Sequence, residues 1–376
     1  MCSKYWIGMR ESEICYVKNF FIDSITVFGE EKPNNLIQPL NQFIKKNLDH
    51  NNEKNDEIIT SWQREHINNI LVKNPNAEFM FYNQIMALKY FKGNKNIICL
   101  NNEDLINKLD DKLYTREYYK TKVPCVPHFI LYGKEISIEK LNSLFNKKTK
   151  YIVQSKNGSG GSGTLVFSNN SQKILLDDEK KYLVTEYYEK SISMNTHLMI
   201  SKDSVLVLPS SIQIIENQYN HLIYKGCDFV GFNNIISDEV KSKVNKYAKI
   251  IGEDLQNQGY LGICGIDFII YDNEVYYIEI NSRFQNSSTI LNKSLMENNQ
   301  PSLQEMNYNC FKNKDIKYNP ISVNYSSYIL YYNEESTMIP SLTPIEILDE
   351  SKYELEIEQL SYWKTNIYDK SIFRGK

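Results

Sequence analysis

The sequence predicts an α/β and α+β chain of more than one domain, and three observations carry that expectation. The chain has 376 residues, more than one hydrophobic core usually organises, so two or three packed domains are expected. Residues 1–110 mix short apolar runs with polar segments of helical period. Beyond them, strand-like runs dominate and are broken by only a few helical patterns, the mark of an α+β arrangement.

Bulk composition excludes several classes. A hydrophobic content of 41% and an aromatic content of 12% suit a globular protein. The 43 basic and 46 acidic side chains nearly cancel to a net charge of −3, so a general nucleic-acid binder, with its basic stripe, is not expected. The 7 cysteines, at positions 2, 15, 99, 125, 227, 264 and 310, are odd in number and form no CxxC pair. Reduced, mostly buried thiols are expected, not a disulfide scaffold or zinc ribbon. No apolar run approaches the roughly 18–20 residues that span a bilayer, and Lys4, Arg10 and Glu11 interrupt the N-terminal apolar stretch where a secretory segment would be continuous. A cytoplasmic, soluble protein is expected.

Along the chain, "SITVF" (24–28) and "NIICL" (96–100) read as strands. Trp62, Ile67, Ile70 and Leu71 fall on one face of a helix in "TSWQREHINNILVKN". Together they describe an N-terminal α/β domain over 1–110 that lacks a glycine fingerprint. The Asn/Lys/Glu-rich stretch 45–57 reads as a solvated loop or helix surface. A second unit, 111–190, starts with a helix in "DDKLYTREYYKTKVPCVP" that must stop before Pro124, followed by "HFILY", the helix "SIEKLNSLFNKK", and the strands "YIVQS" and "TLVFS". The remainder, 191–376, holds strand-like "SMNTHLMIS" and "VLVLPSSIQII". A helix capped by Ser237 then runs through Val240, Val244, Tyr247, Ala248, Ile251 and Leu255 to Gly259, and "YSSYILYY" and "YELEIEQLSYW" follow.

Between "YIVQS" and "TLVFS" lies the densest glycine stretch of the chain. "QSKNGSGGSGTLV" (154–166) holds Gly158, Gly160, Gly161 and Gly163 of the 15 glycines in the protein. G-x-G-x-x-G is formally present, but a dinucleotide fingerprint needs a following helix, and a strand follows here. No Gly-Lys-Ser/Thr closes a P-loop, and the motifs that complete a protein kinase are missing. A hairpin tip with amides free to wrap phosphate oxygens remains, with a plain linker as the alternative.

A second hairpin carries the acids. Strands at about 263–271 and 275–281 flank Asp272-Asn273-Glu274, read as a three-residue loop. Pairing Tyr271 with Val275 then sets Asp267 opposite Glu279, and alternation puts Asn281 on the same face. A two-residue loop would separate the two acids. Like charges opposed across a sheet destabilise it by about 0.2–1 kcal/mol, and a divalent cation reverses that sign; an oxygen-only set on a half-open face suits Mg²⁺. The alternative is a solvated acidic rim. Arg283 joins the same face if the strand continues, or forms an ion pair with Glu279 or Glu305.

A glycine-rich hairpin, an acidic-polar strand and a carboxylate hairpin ending in E-x-N-x-R, in this order over residues 110–290, resemble the ATP-grasp superfamily. The resemblance implies an ATP-grasp fold behind an N-terminal pre-ATP-grasp domain, with ATP and Mg²⁺ as cofactors. It implies that Lys112, Gln154, Lys156, Ser159, Gly160, Gly161, Ser162 and Gly163 meet the phosphates. Glu186, Tyr187 and Tyr188 would form the adenine hinge, with Gln213 near the nucleotide. Asp267, Glu279 and Asn281 would hold the metal, and Arg283 would face the reacting oxygen as the catalytic residue. One departure is Gln154, which stands where the family usually has lysine.

The implied activity is that of an ATP-dependent carboxylate-amine ligase joining amino acids or modifying a peptide. A substrate carboxylate takes the γ-phosphoryl group to give an acylphosphate and ADP, and an amine then displaces phosphate. A biotin-carboxylase-like enzyme is the rival, since Gln285 extends the pattern to E-x-N-x-R-x-Q, and a non-catalytic nucleotide-binding scaffold is the third reading. The partners expected are a small-molecule carboxylate and amine, with neither nucleic acid nor membrane, and a homodimer as the assembly.

Overall fold

The protein is seen here as a computed structural model that describes residues 3–17, 19–29, 37–40, 53–158, 163–168, 176–218, 220–332, 353–354, 360–363 and 367–375. The chain falls into two compact units. One comprises residues 1–101, 226–230 and 283–376, and the other residues 102–225 and 231–282.

The first unit is built on a parallel sheet. Strands β1 (Lys4–Arg10), β2 (Asp23–Phe28), β3 (Glu78–Phe81) and β4 (Ile97–Ile98) lie in the order β2-β1-β3-β4, all pairs parallel. Parallel neighbours need crossovers, and the helix α1 (Glu53–Lys73) supplies the one between β2 and β3. Both faces of such a sheet are covered, so its strands read as nearly continuous apolar runs. Tyr5, Trp6 and Ile7 are all buried in β1, as are Phe79, Met80 and Phe81 in β3. Ile67 is fully buried against this core, with Trp62, Ile70 and Leu71 packed around it on the face that their spacing predicts. The short helix α2 (Gln84–Tyr90) starts at Asn83, whose side chain accepts from the Ile85 amide.

The second unit opens with the helices α3 (Glu103–Asp110) and α4 (Lys112–Tyr119). Asn102 caps the first, and the Asp111 carboxylate caps the second by accepting from the amides of Leu113 and Tyr114 at 3.0 and 3.1 Å. β5 (His128–Tyr132), α5 (Ile138–Leu144), β6 (Lys150–Ser155), β7 (Thr164–Ser168) and β8 (Lys181–Glu186) follow. Leu141, Phe145, Tyr151, Val153, Phe167 and Val184 form their shared core. β9 (Ile192–Ile200), β10 (Val205–Gln218), β11 (His221–Asp228), α6 (Phe229–Ile235), α7 (Asp238–Asn257), β12 (Gly262–Tyr271) and β13 (Glu274–Asn281) complete the unit. The strands run in the order β13-β12-β9-β10-β11-β7-β6-β8-β5.

α7 begins at the Ser237 cap and buries Val240, Val244, Ala248, Ile251 and Leu255, spaced three or four apart so that they form one stripe. That stripe lies on β9 and β10 so closely that a Cβ at Gly252 would stand 2.5 Å from Val205 Cγ1 and 2.9 Å from Leu198 Cδ1. Leu198 pairs with Cys264, so the face toward α7 carries the even-numbered residues of β9 and β12. The odd-numbered residues of those strands, Asn195, His197, Gly265 and Asp267 among them, lie on the opposite face.

Beyond residue 282 the chain returns to the first unit as α8 (Ser288–Glu297), α9 (Leu303–Phe311), β14 (Ser326–Tyr332), β15 (Tyr353–Glu354), β16 (Leu360–Trp363) and β17 (Ile367–Gly375). "YELEIEQLSYW" thus contains two short strands, both paired with β17. Of the solvated stretch 45–57, residues 45–52 lie outside the described residues, and the rest belongs to α1.

Candidate active site

The carboxylate hairpin is where the structure departs most instructively from the sequence reading. Tyr271 pairs with Glu274, so the loop has two residues, not three. Asp272 and Asn273 have φ of 52° and 59°, the left-handed pair that a type I′ hairpin turn requires and that Asp and Asn tolerate best. Continued without interruption, this register would set Asp267 opposite Ile278 and turn Glu279 to the other face. It is interrupted: Phe268 pairs with Tyr277, the register then shifts, and Asp267 pairs with Glu279. Ile278 is the extra residue of a β-bulge, so the two acids meet by a different geometry from the one the loop length suggested.

Around that pair the polar groups are ordered in a row. Asn281 Nδ2 donates to Asp267 Oδ2 at 3.1 Å. Asn195 of β9 pairs across from Asp267, Ser211 of β10 pairs across from Asn195, and Ser211 Oγ donates to Asn195 Oδ1 at 2.8 Å. His197, opposite Gly265, is fully buried, and that burial holds its imidazole down at about 4. Lys112 Nζ lies 2.6 Å from Glu279 Oε2, with side chains 13% and 17% exposed. Four residues on, in the next turn of α4, Arg116 donates through Nε and Nη2 to the Ile278 carbonyl at 3.1 and 2.7 Å.

This donor set suits a hard divalent cation. Its oxygens come from two carboxylates and an amide, with no sulfur or imidazole among them, and the opposed acids already attract a cation, the Lys112 ammonium. Among the described residues no three His, Cys, Asp or Glu side chains cluster.

The glycine hairpin stands at the start of α4. β6 and β7 pair antiparallel with Gln154 opposite Thr164, and Gln154 Nε2 donates to Thr164 Oγ1 at 3.2 Å. Gly163 has φ of 75°, and a Cβ there would lie 2.0 Å from Ser155 Oγ, so a side chain is excluded. Ser159, Gly160, Gly161 and Ser162 lie outside the described residues. Lys156 does not share a strand face with Gln154, because β6 ends at Ser155. Its ammonium lies 3.1 Å from Asp111 Oδ2, and its carbonyl accepts from the Lys112 amide at 2.9 Å. The loop is therefore anchored to the cap of the helix that carries Lys112.

At the hinge, Glu186 ends β8 and lies 3.0 Å from Lys148 Nζ, while the Tyr187 amide donates to the Lys150 carbonyl at 3.1 Å. Tyr188 stacks on Tyr271 with centroids 4.5 Å apart and planes 10° from parallel. Burial first, then the neighbouring Glu186 charge, pushes its phenol up to about 12. Gln213 is half-buried in β10, two residues past Ser211 and so on the same strand face. Arg283 does not continue β13, which ends at Asn281. It belongs to the first unit, where it bridges to Asn83 through the backbone and its Nη1 donates to the Phe284 carbonyl at 3.0 Å.

Sequence reasoning missed Arg116, Asn195 and Ser211. Lys112 and Arg116 share one face of a helix, but Ile278 and Ile280 are both apolar, so the residue types of β13 do not reveal the bulge that Arg116 serves.

Comparison with known proteins points the same way. The family model of the ATP-grasp domain matches residues 109–287. No curated protein matches the sequence. Among solved structures, N5-carboxyaminoimidazole synthetase from Staphylococcus aureus with ADP aligns over 99% of this chain and 92% of its own, at 15% identity and a TM-score of 0.60. Biotin carboxylase from Campylobacter jejuni with a β,γ-ATP ligand aligns over 100% and 88%, at 13% identity and 0.64. The biotin carboxylase domain dimer of Hydrogenobacter thermophilus 2-oxoglutarate carboxylase, with MgADP, ADP and bicarbonate, aligns over 100% and 86%, at 12% identity and 0.63. With the glycine hairpin and the carboxylate pair both inside the matched span, residues 109–287 form an ATP-grasp domain.

Proposed function

We propose that this chain is an ATP-dependent ligase that joins a carboxylate to an amine, releasing ADP and phosphate. The observation that carries the proposal is the convergence of Asp267, Glu279 and Asn281 on one face of an ATP-grasp sheet, with the Lys112 ammonium already on Glu279. A protein that merely held adenine would gain nothing from two opposed carboxylates, which weaken a sheet unless a cation joins them.

In this reading Asp267, Glu279 and Asn281 hold Mg²⁺, which when bound neutralises nucleotide phosphate charge. Lys112 leaves Glu279 for a phosphate oxygen, and the glycine hairpin covers the phosphates through its amides. Gln154 brings hydrogen bonds but no charge to the position usually held by lysine, so Lys156 and Lys112 supply the positive charge. Glu186, Tyr187 and Tyr188 bracket the adenine, Gln213 lies near the nucleotide, and Arg283 stabilises charge on the reacting phosphoryl or acyl oxygen. The carboxylate substrate accepts the γ-phosphoryl group, its acyl carbon is attacked by the amine, and phosphate leaves. Residues 111–190 act as the lid subdomain, and the stretch that follows, to residue 282, carries the metal site.

Bicarbonate as the carboxylate is the second reading. It is favoured by the likeness to the biotin carboxylase domain solved with that anion, a neighbour that also supports a homodimer. ADP release from the full chain, measured with a panel of amino acids and short peptides and separately with bicarbonate, decides between them. Release that requires an amino acid or peptide supports the ligase, and release that requires bicarbonate supports the carboxylase. No ADP with any of them overturns both.

A further inference from the structure

The bulge in β13 has a mechanical cause that the coordinates expose. β12 buries Ile266, Phe268 and Ile270, in steps of two, on the α7 side of the sheet, whereas β13 buries Val275, Tyr277 and Ile280. Without an extra residue between Tyr277 and Ile280, either Ile280 or the Val275–Tyr277 pair would face the wrong way, and Glu279 would enter an apolar layer. Looping out Ile278 satisfies all six positions and leaves Glu279 opposite Asp267. A looped-out residue, however, loses its ladder partners and frees a carbonyl that needs a donor.

Arg116 supplies that donor twice over. Its guanidinium is 1% exposed and gives Nε and Nη2 to the Ile278 carbonyl. Among the described residues it makes no ion pair, Nη1 has no hydrogen-bond partner, and its nearest ring is Tyr277, whose centroid lies 6.0 Å away. Burying a guanidinium against a neutral carbonyl is costly, and desolvation draws its pKa below the ordinary arginine value, with Glu279 among the groups that oppose the shift. A fork of two parallel donors is a geometry that arginine has and lysine lacks.

Resting on the metal-site reading above, we propose that Arg116 is a positioning residue. It holds the Ile278 carbonyl out of the ladder so that Glu279 faces Asp267, and α4 sets the whole site because it carries both this clamp and Lys112.

The test uses the full chain, with Mn²⁺ as the metal probe titrated by electron paramagnetic resonance in saturating ADP. Arg116→Met is expected to weaken Mn²⁺ binding by about tenfold or more, as loss of a residue that orients a metal ligand does, while metal-free ADP binding stays within about threefold. Arg116→Lys, which keeps the charge without the fork, is expected to weaken Mn²⁺ by at least about threefold. Deleting Ile278 places Glu279 opposite Asp267 by regular pairing, so in that background Arg116→Met should change Mn²⁺ affinity by less than about threefold. Wild-type Mn²⁺ affinity in Arg116→Met overturns the clamp, as does an undiminished loss in the Ile278-deleted background. Should Arg116→Met not fold, wild-type affinity in Arg116→Lys overturns it instead. Wild-type protein that binds ADP but no Mn²⁺ removes the metal site itself, a result distinct from failure of the clamp.

Discussion

The parallel sheet of the first unit and the antiparallel sheet of the second use their surfaces in opposite ways. Between α helices, β1 and β3 bury consecutive residues on both faces, and Arg10, Tyr82 and Asn83 stand where these strands end. β9, β10, β12 and β13 turn an apolar face to α7 and place on the other a row of Ser211, Asn195, Asp267 and Glu279. Both sheets are buried on both faces at their centres, and they differ in what the second face holds: apolar side chains in the first sheet, and hydrogen-bonded polar side chains that can do chemistry in the second. Changes in the first sheet should therefore cost stability, and changes on the polar face of the second should cost function.

The largest expected effect tests the scaffold side. Phe79 in β3 is fully buried and stacks on Tyr5 at 5.5 Å, so Phe79→Ala should cost about 3–5 kcal/mol in urea unfolding. A loss under about 1 kcal/mol would break the comparison. Next, Glu279→Gln should lower ADP formation by at least about 100-fold, equivalent to about 2.7 kcal/mol of barrier, yet shift unfolding by no more than about 1 kcal/mol. Retained turnover removes Glu279 from the site. The most gradual effect concerns His197. An imidazole that titrates near 6.5 when unfolded and near 4 when folded binds its proton more readily in the unfolded chain. Its contribution is complete above pH 6.5 and lost as pH falls toward 4, on the order of 3 kcal/mol. The urea midpoint should drop over that window in the wild type and drop less in His197→Gln; equal slopes would show that His197 is not the group responsible.

Much of this architecture was legible in the sequence where one local rule acted alone. The Ser237 cap and the stripe from Val240 to Leu255 specify α7, and the strand that follows the glycine stretch ruled out a dinucleotide fold. The hairpin was harder, because two rules act in sequence. Loop length alone argued that a two-residue turn would part Asp267 from Glu279, while the bulge at Ile278, further along β13, restores the match. Arg116 was out of reach of motif reading, since its partner is a backbone carbonyl, Ile278 O, that leaves no trace in residue types. The continuation of β13 into Arg283 failed for a related reason: strand alternation says nothing about where a chain leaves one unit for another.

The Lys112–Glu279 contact bears on how such an enzyme rests between turnovers. With an ammonium seated 2.6 Å from the Glu279 carboxylate, part of the charge of the acidic pair is already neutralised. An incoming magnesium ion alone would have to evict a tethered competitor, whereas one escorted by a triphosphate offers the lysine somewhere else to go. If Asp267, Glu279 and Asn281 hold the metal as proposed, the metal and the nucleotide would arrive as a single cargo, and idle occupancy by bare cations would be disfavoured.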